Sequence, residues 1–218
     1  MKCSSKKSMN KILKIYVWYT ENIKEYIEIL QESSKELENI EIIPYLHLGP
    51  TDDPNLKMGE THKESYKKLM LIRWKVLPSL IEENMGENIV WLDADCVFNK
   101  NNKTFYETIN NELTIHDFVF QYDDNSGLMR SINTGVMGIK CSDKTLNMIN
   151  KFYEDISTTT DLRDGYPLLE INEMFDKYSI FGTTYSLLPQ DFCKGEGNWV
   201  IYHAVSCNDK IQNLRSKL

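Results

Sequence analysis

Asp93 and Asp95 end an apolar run, Asn88-Ile-Val-Trp-Leu-Asp93-Ala94-Asp95-Cys-Val-Phe98. A buried strand does not close on two carboxylates without a reason, because like charges brought together repel unless a cation or a proton lies between them. Side chains alternate along a strand, so residues i and i+2 share a face, and the pair is expected to converge on one cleft at the carboxyl edge of a sheet. The economical partner is a hard divalent cation bridged to phosphate oxygens.

Other parts of the chain hold groups that would complete such a site. Asn133-Thr134-Gly135 opens a strand about forty residues further on. Its glycine lets a backbone or a ligand approach closely, and equally marks a bulge or turn. Ile201-Tyr-His203-Ala-Val205 offers an imidazole, and Lys210 lies seven residues beyond His203. A neutral imidazole is a good third ligand, and a mixed O/N set suits Mn²⁺ better than Mg²⁺. A single histidine is also often a satisfied structural residue. Lys210 alone is a solvated charge; beside a diphosphate it would neutralise the leaving group. Leu188-Pro-Gln-Asp191-Phe192, followed by Gly195-Glu-Gly197, reads as a strand end and a flexible loop, either a plain turn or the lining of a sugar and acceptor pocket.

These groups need a frame. Leu13–Tyr19 is β-branched and aromatic, hence a strand. Thr20 or Asn22 can cap a helix running to Leu37, with Tyr26, Ile29, Leu30 and Leu37 inward. A strand over Glu41–Leu48 follows, then the breaker Gly49-Pro-Thr-Asp-Asp-Pro54. From His62 to Glu83 the residues Tyr66, Leu69, Met70, Trp74, Leu77 and Ile81 recur at helical spacing, and Pro78 predicts a kink or two helices. Thr104-x-x-Glu107 reads as a capping box. Strands are expected over Asp117–Tyr122, Asn133–Lys140, Ser179–Leu188 and Trp199–Val205, and helices over Ser142–Glu154 and Pro167–Tyr178. The fold class is therefore α/β: one Rossmann-like domain over 12–218, with a mixed, mostly parallel central sheet flanked by helices, after a disordered basic tail over 1–11.

The bulk numbers agree with that frame. The chain has 218 residues, 41% hydrophobic and 26% charged, the balance of a soluble globule. Its net charge of −7 argues against a nucleic-acid surface. The five cysteines (Cys3, Cys96, Cys141, Cys193 and Cys207) are odd in number and include no CxxC, so reduced thiols are expected rather than a disulfide framework or thiolate zinc. The basic start is not followed by an apolar signal segment, and no apolar run approaches about 20 residues, so a cytoplasmic chain without a transmembrane segment is expected.

Two catalytic classes use a strand ending in DxD. Asp93-Ala-Asp95-Cys96-Val97 resembles the motif of haloacid-dehalogenase type phosphatases, in which the first Asp is a nucleophile and the second a general acid. That motif closes the first strand of its domain, whereas two strands and two helices precede it here. The ordered set of Arg73-x-x-x-Leu77-Pro78, Val90-Trp-Leu-Asp93-Ala-Asp95, Asn133-Thr-Gly135, the acidic stretch around Asn172-Glu173-Met-Phe175, Leu188-Pro189 and His203 with Lys210 resembles the GT-A class of nucleotide-diphospho-sugar glycosyltransferases. The likeness covers Leu13 to Lys210 and points to the group containing plant cell-wall arabinosyl- and xylosyltransferases and similar enzymes of microbes and large viruses.

The resemblance implies a division of roles. Asp95 and His203 would ligate Mn²⁺ (or Mg²⁺). Asp93 would touch the metal or the sugar hydroxyls, with Ala94 beside the donor. Tyr19 and Thr20 would hold the nucleoside, and Arg73 and Lys210 would reach the donor sugar or phosphates. Asn133, Thr134 and Gly135 would face the transferred sugar, and Glu173 would sit near the anomeric carbon. Relatives carry Asp-Gln in the acidic helix where this chain offers Glu170, Asn172 and Glu173, so the key carboxylate stays open, with Glu173 and Asp191 as the catalytic candidates. The implied function is metal-dependent transfer of a sugar from a nucleoside diphosphate, UDP being favoured, to a hydroxyl acceptor on a glycan, protein or small molecule. Retention is favoured over inversion. A phosphatase using Asp93 as nucleophile and a non-catalytic sugar-nucleotide binding module are the alternatives.

Overall fold

The structure, a computed structural model, describes residues 11–46, 64–122, 132–158, 175, 177–204 and 209–218. Leu13–Tyr19 forms β1, whose β-branched and aromatic side chains suit a pleated backbone buried on both faces. Two further strands run parallel to it: β2 (Ile40–Leu46) on one side and β3 (Asn88–Asp93) on the other. β6 (Ile132–Lys140) joins β3 antiparallel. β5 (Phe118–Tyr122) pairs antiparallel with β6, and β7 (Tyr185–Leu187) lies parallel to β5 at the sheet edge. The result is a mixed, mostly parallel six-stranded sheet, ordered β2-β1-β3-β6-β5-β7. A separate two-stranded sheet pairs β4 (Cys96–Phe98) with β8 (Ile201–His203).

Strand periodicity sorts the core into two layers. Tyr16 and Trp18 of β1, Ile89 and Trp91 of β3 and Phe118 and Phe120 of β5 pack with α2 (Glu64–Glu83) and α4 (Asp143–Thr158). Their neighbours Leu13, Ile15, Val17, Val90, Leu92 and Val119 face α1 (Lys24–Ser34) and α3 (Phe105–Ile115). Each fully buried large apolar side chain contributes about 1.5–3 kcal/mol. Gly138 leaves no room for a side chain between β5 and α3: a Cβ there would stand 2.5 Å from Val119 Cγ1 and 3.2 Å from Ile109 Cγ2. Gly138→Ala is therefore expected to lower stability by about 1–3 kcal/mol. A fall in the denaturant midpoint checks this; an unchanged midpoint would mean that Val119 and α3 give way freely.

The elements depart from sequence expectation where local and tertiary preferences conflict. Helix α1 stops at Ser34, short of Leu37, because the Ser33 and Ser34 hydroxyls donate to the carbonyls of Leu30 and Gln31. Leu37 still packs on the core, and Ser33 Oγ also accepts the amide of Phe98. Pro78 does not divide α2: one helix runs through it, flanked by the buried Trp74, Leu77, Leu80 and Ile81, so packing outweighs the lost backbone bond. Thr104 sits at the N-cap of α3, but its hydroxyl donates to Asn102 Oδ1 and no capping box forms. The stretch expected as one strand from Ser179 to Leu188 is a 3-10 turn (Ser179–Phe181) and then β7, with Gly182 between them at φ +60°. Helix α4 extends to Thr158, beyond Glu154, because Ile156 is buried. The basic tail up to residue 10, the breaker at 49–54 and most of the helix expected over Pro167–Tyr178 lie outside the described residues.

The largest correction concerns the Asp pair. The apolar run is not one strand. β3 ends at Asp93, the chain bends at Ala94 and Asp95, and β4 starts at Cys96 in the other sheet. Strand alternation is therefore not what brings the two carboxylates together.

Candidate active site

The register of the small sheet builds the site. Cys96 lies opposite His203, and the amide of Ala204 donates to the carbonyl of Asp95 at 2.9 Å. His203 is thus delivered to the bend after β3. Its Nε2 stands 3.3 Å from Asp95 Oδ1 and 3.8 Å from Asp93 Oδ2. One ligand atom from each of Asp93, Asp95 and His203 falls within 4.8 Å of the others.

A bulge in β6 makes room for the imidazole. Phe120 pairs with Met137, but the next residue, Gln121, pairs with Asn133, so Thr134, Gly135 and Val136 have no partner in β5. A Cβ at Gly135 would lie 2.0 Å from His203 Cε1. Asn133 Oδ1 accepts the Gly135 amide at 2.7 Å and holds the bulge in shape. The motif forms a bulge, one of the readings its sequence left open, and that bulge lies against His203.

The carboxylates are held from outside the cluster. Arg73, 4% exposed on α2, donates to Asp93 Oδ1 at 2.6 Å and to the Thr134 hydroxyl at 2.5 Å. Its guanidinium lies over Trp91, 5.7 Å from the ring centre. Lys210 opens α5 (Lys210–Arg215) and its Nζ donates to Asp95 Oδ2. Burial alone would raise the Asp95 pKa, but His203 and Lys210 more than offset this and hold it well below the usual carboxylate range. Burial likewise works against charge on His203 and Lys210, and Asp95 raises both despite it.

This donor set fits a hard divalent ion. Neighbouring ligands of an octahedral ion, each at about 2.1 Å, stand about 3 Å apart. The Nε2–oxygen separations of 3.3 and 3.8 Å need little adjustment to meet that. Two carboxylates and one imidazole suit Mn²⁺ or Mg²⁺ and not a thiolate metal; the neighbouring Cys96 is buried with its thiol pKa pushed well up by that burial.

Most residues singled out in the sequence therefore meet at the carboxyl edge of β3: Arg73, Asp93, Asp95, Asn133, Thr134, Gly135, His203 and Lys210. Tyr19 and Thr20 end β1 on the same edge, where Trp18 lies opposite Asp93. The Ala94 side chain turns into the core beside Leu92. Asp191 is exposed in the turn after β7, outside the Asp93/Asp95/His203 cluster. Glu173, with Glu170 and Asn172, lies outside the described residues. Gln121 was missed. Its Oε1 stands 2.8 Å from His203 Nδ1. The available signal was a lone carboxamide inside the apolar strand Phe-Val-Phe-Gln121-Tyr.

A family model described as nucleotide-diphospho-sugar transferase matches residues 33–210. No curated protein sequence matches the chain. Among solved structures, it resembles a glycosyltransferase involved in glycosylation of the major capsid of PBCV-1, with a TM-score of 0.65 at 15% identity over 94% of this chain and 99% of that one. It also resembles the glycosyltransferase GlyE of Streptococcus pneumoniae TIGR4, with a TM-score of 0.62 at 14% identity over 95% of this chain and 60% of that one. Mouse xyloside xylosyltransferase 1 shares a TM-score of 0.54 at 13% identity, over 90% of this chain and 98% of that one. At these identities the structural likeness speaks for the fold, which is the mixed sheet and flanking helices seen here.

Proposed function

Because the chain belongs to the nucleotide-diphospho-sugar transferase family, we propose that it moves a sugar from a nucleoside diphosphate, UDP being favoured, to a hydroxyl of a glycan, protein or small molecule. The observation that carries the metal-dependent form of this reading is the convergence of Asp93, Asp95 and His203 ligand atoms within 4.8 Å. Mn²⁺ or Mg²⁺ bound there would supply the positive charge that stabilises the departing diphosphate. Asp95 and His203 would act as its ligands, with Asp93 beside them, its Oδ1 fixed by Arg73. Lys210 turns from Asp95 to the phosphates and neutralises the leaving group. Tyr19 and Thr20 hold the nucleoside, and Asn133–Gly135 face the sugar. The acceptor oxygen bonds to the anomeric carbon on the face from which the diphosphate departs, giving retention. Glu173 and Asp191 are the candidates to stabilise the oxocarbenium-like state or take the acceptor proton.

The phosphatase reading is disfavoured by protonation. It needs a general acid at Asp95, yet His203 and Lys210 hold that carboxyl ionised. We propose residues 12–218 as one catalytic domain. No helix among the described residues is long and apolar enough to cross a membrane. The buried free thiols of Cys96, Cys141 and Cys193 suit a cytoplasmic setting.

Thermal unfolding with UDP-sugars, with and without Mn²⁺, tests the proposal. A ligand at one hundred times its Kd stabilises the fold by about 2.7 kcal/mol. The midpoint is expected to rise most when metal and nucleotide sugar are both present, and His203→Ala should remove the metal-dependent part. No rise with any nucleotide sugar, together with hydrolysis of a phosphomonoester, would overturn the transferase reading.

A further inference from the structure

Strand β5 is apolar from Phe118 to Phe120, all fully buried, and then places Gln121 in the interior at 5% exposure. A buried carboxamide persists where it is hydrogen-bonded, and the Oε1 of Gln121 stands 2.8 Å from His203 Nδ1. The contact falls at the register break of β5 against β6, beside the bulge that carries Gly135. Gly135 leaves space on one part of the imidazole and Gln121 engages another. The backbone of this segment is already tied elsewhere, through the His203 amide to the Cys193 carbonyl and the Ala204 amide to the Asp95 carbonyl. Gln121 is thus a partner of the ring itself.

A carbonyl oxygen only accepts, so this contact requires a proton on Nδ1. In the neutral ring the lone pair then sits on Nε2, the nitrogen that faces Asp95 and Asp93. We propose that Gln121 is a positioning residue of the metal site: its carbonyl holds His203 as the Nδ1–H form, at the tilt that presents Nε2 to a divalent cation. An amide turned the other way would donate to Nδ1 and place a proton on Nε2, against the cation. This inference rests on the metal reading proposed above.

Mn²⁺ alone, titrated into the purified chain and followed by the EPR signal of the free ion, provides the first measurement. Gln121→Met keeps the length and removes the acceptor, and is expected to weaken Mn²⁺ binding by about 10–100-fold. Gln121→Glu keeps an oxygen in reach and should bind at least as tightly as the wild-type chain. The second measurement needs no variant: ¹⁵N shifts of labelled histidine in the Mg²⁺-loaded chain should show His203 protonated at Nδ1. Wild-type affinity in Gln121→Met, an equal loss in Gln121→Glu, or a His203 proton on Nε2 would each overturn the proposal. If the wild-type chain binds Mn²⁺, His203→Ala does not and Gln121→Met is unaffected, the site stands and only the role of Gln121 falls. If the wild-type chain binds no Mn²⁺, the metal reading falls and this inference with it.

Discussion

Asp95→Asn is expected to abolish measurable Mn²⁺ binding and to lower sugar transfer by about 10²–10³-fold or more, the range found when a group that stabilises charge in the transition state is lost. The reason is the number of partners that converge on this carboxylate. Oδ1 faces His203 Nε2 at 3.3 Å and Oδ2 receives Lys210. The amide keeps the shape but not the charge, so the cluster loses a proposed metal ligand and His203 loses the carboxylate that raises its pKa against burial. Lys210 loses the counter-ion that holds it beside the Asp93/Asp95/His203 cluster. UDP release from a nucleotide sugar, measured over a range of Mn²⁺ concentrations, checks the effect. Full activity at raised Mn²⁺ would demote Asp95 to a contributor to affinity, and unchanged affinity would remove it from the site.

Gly135→Ala should be nearly as damaging, for a steric reason. The added Cβ would lie 2.0 Å from Cε1, 2.4 Å from Nδ1 and 2.9 Å from Nε2 of His203. No side-chain carbon sits that close to a ring, so the imidazole must leave its place, and Gln121 blocks retreat along the Nδ1 side. Metal binding is expected to fall as far as in His203→Ala, with a stability loss of about 1–3 kcal/mol from overpacking. Gly138→Ala separates the two effects: it crowds Val119 and Ile109 instead of His203, so it should lower stability while leaving Mn²⁺ affinity in place. Equal metal affinity in Gly135→Ala and the wild-type chain would show that the bulge is not needed to seat the imidazole.

Legibility in the sequence followed the range of the interaction. β1 begins and ends where its composition says, at Leu13 and Tyr19, because a β-branched and aromatic run between polar residues is a local signal. The end of α1 and the expected capping box at Thr104 were misjudged because serine and threonine hydroxyls choose among nearby carbonyls and amides, a contest that spacing does not decide. The continuity of α2 through Pro78 depended on the sheet it packs against. The Asp pair announced itself as chemistry, but its geometry was misread: a bend between two sheets, not strand alternation, makes the carboxylates converge.

The chain by itself determined the class of the fold, through the alternation of strand and helix, and it determined which side chains were unusual enough to do chemistry: two carboxylates at a strand end, a glycine-bearing strand start, a late histidine and a lysine. Only the tertiary structure decided how they meet. The antiparallel pairing of Cys96 with His203, the bulge over Thr134–Val136 and the hydrogen bond from Arg73 to Thr134, 61 residues away, bring distant segments into one site. Gln121 shows the division most clearly. As a residue in a strand it is one polar letter among apolar ones, and it becomes a partner of His203 only because a break in register aims it there. Periodicity reports which face of an element is buried, whereas the partner on that face is set by the packing of the whole chain.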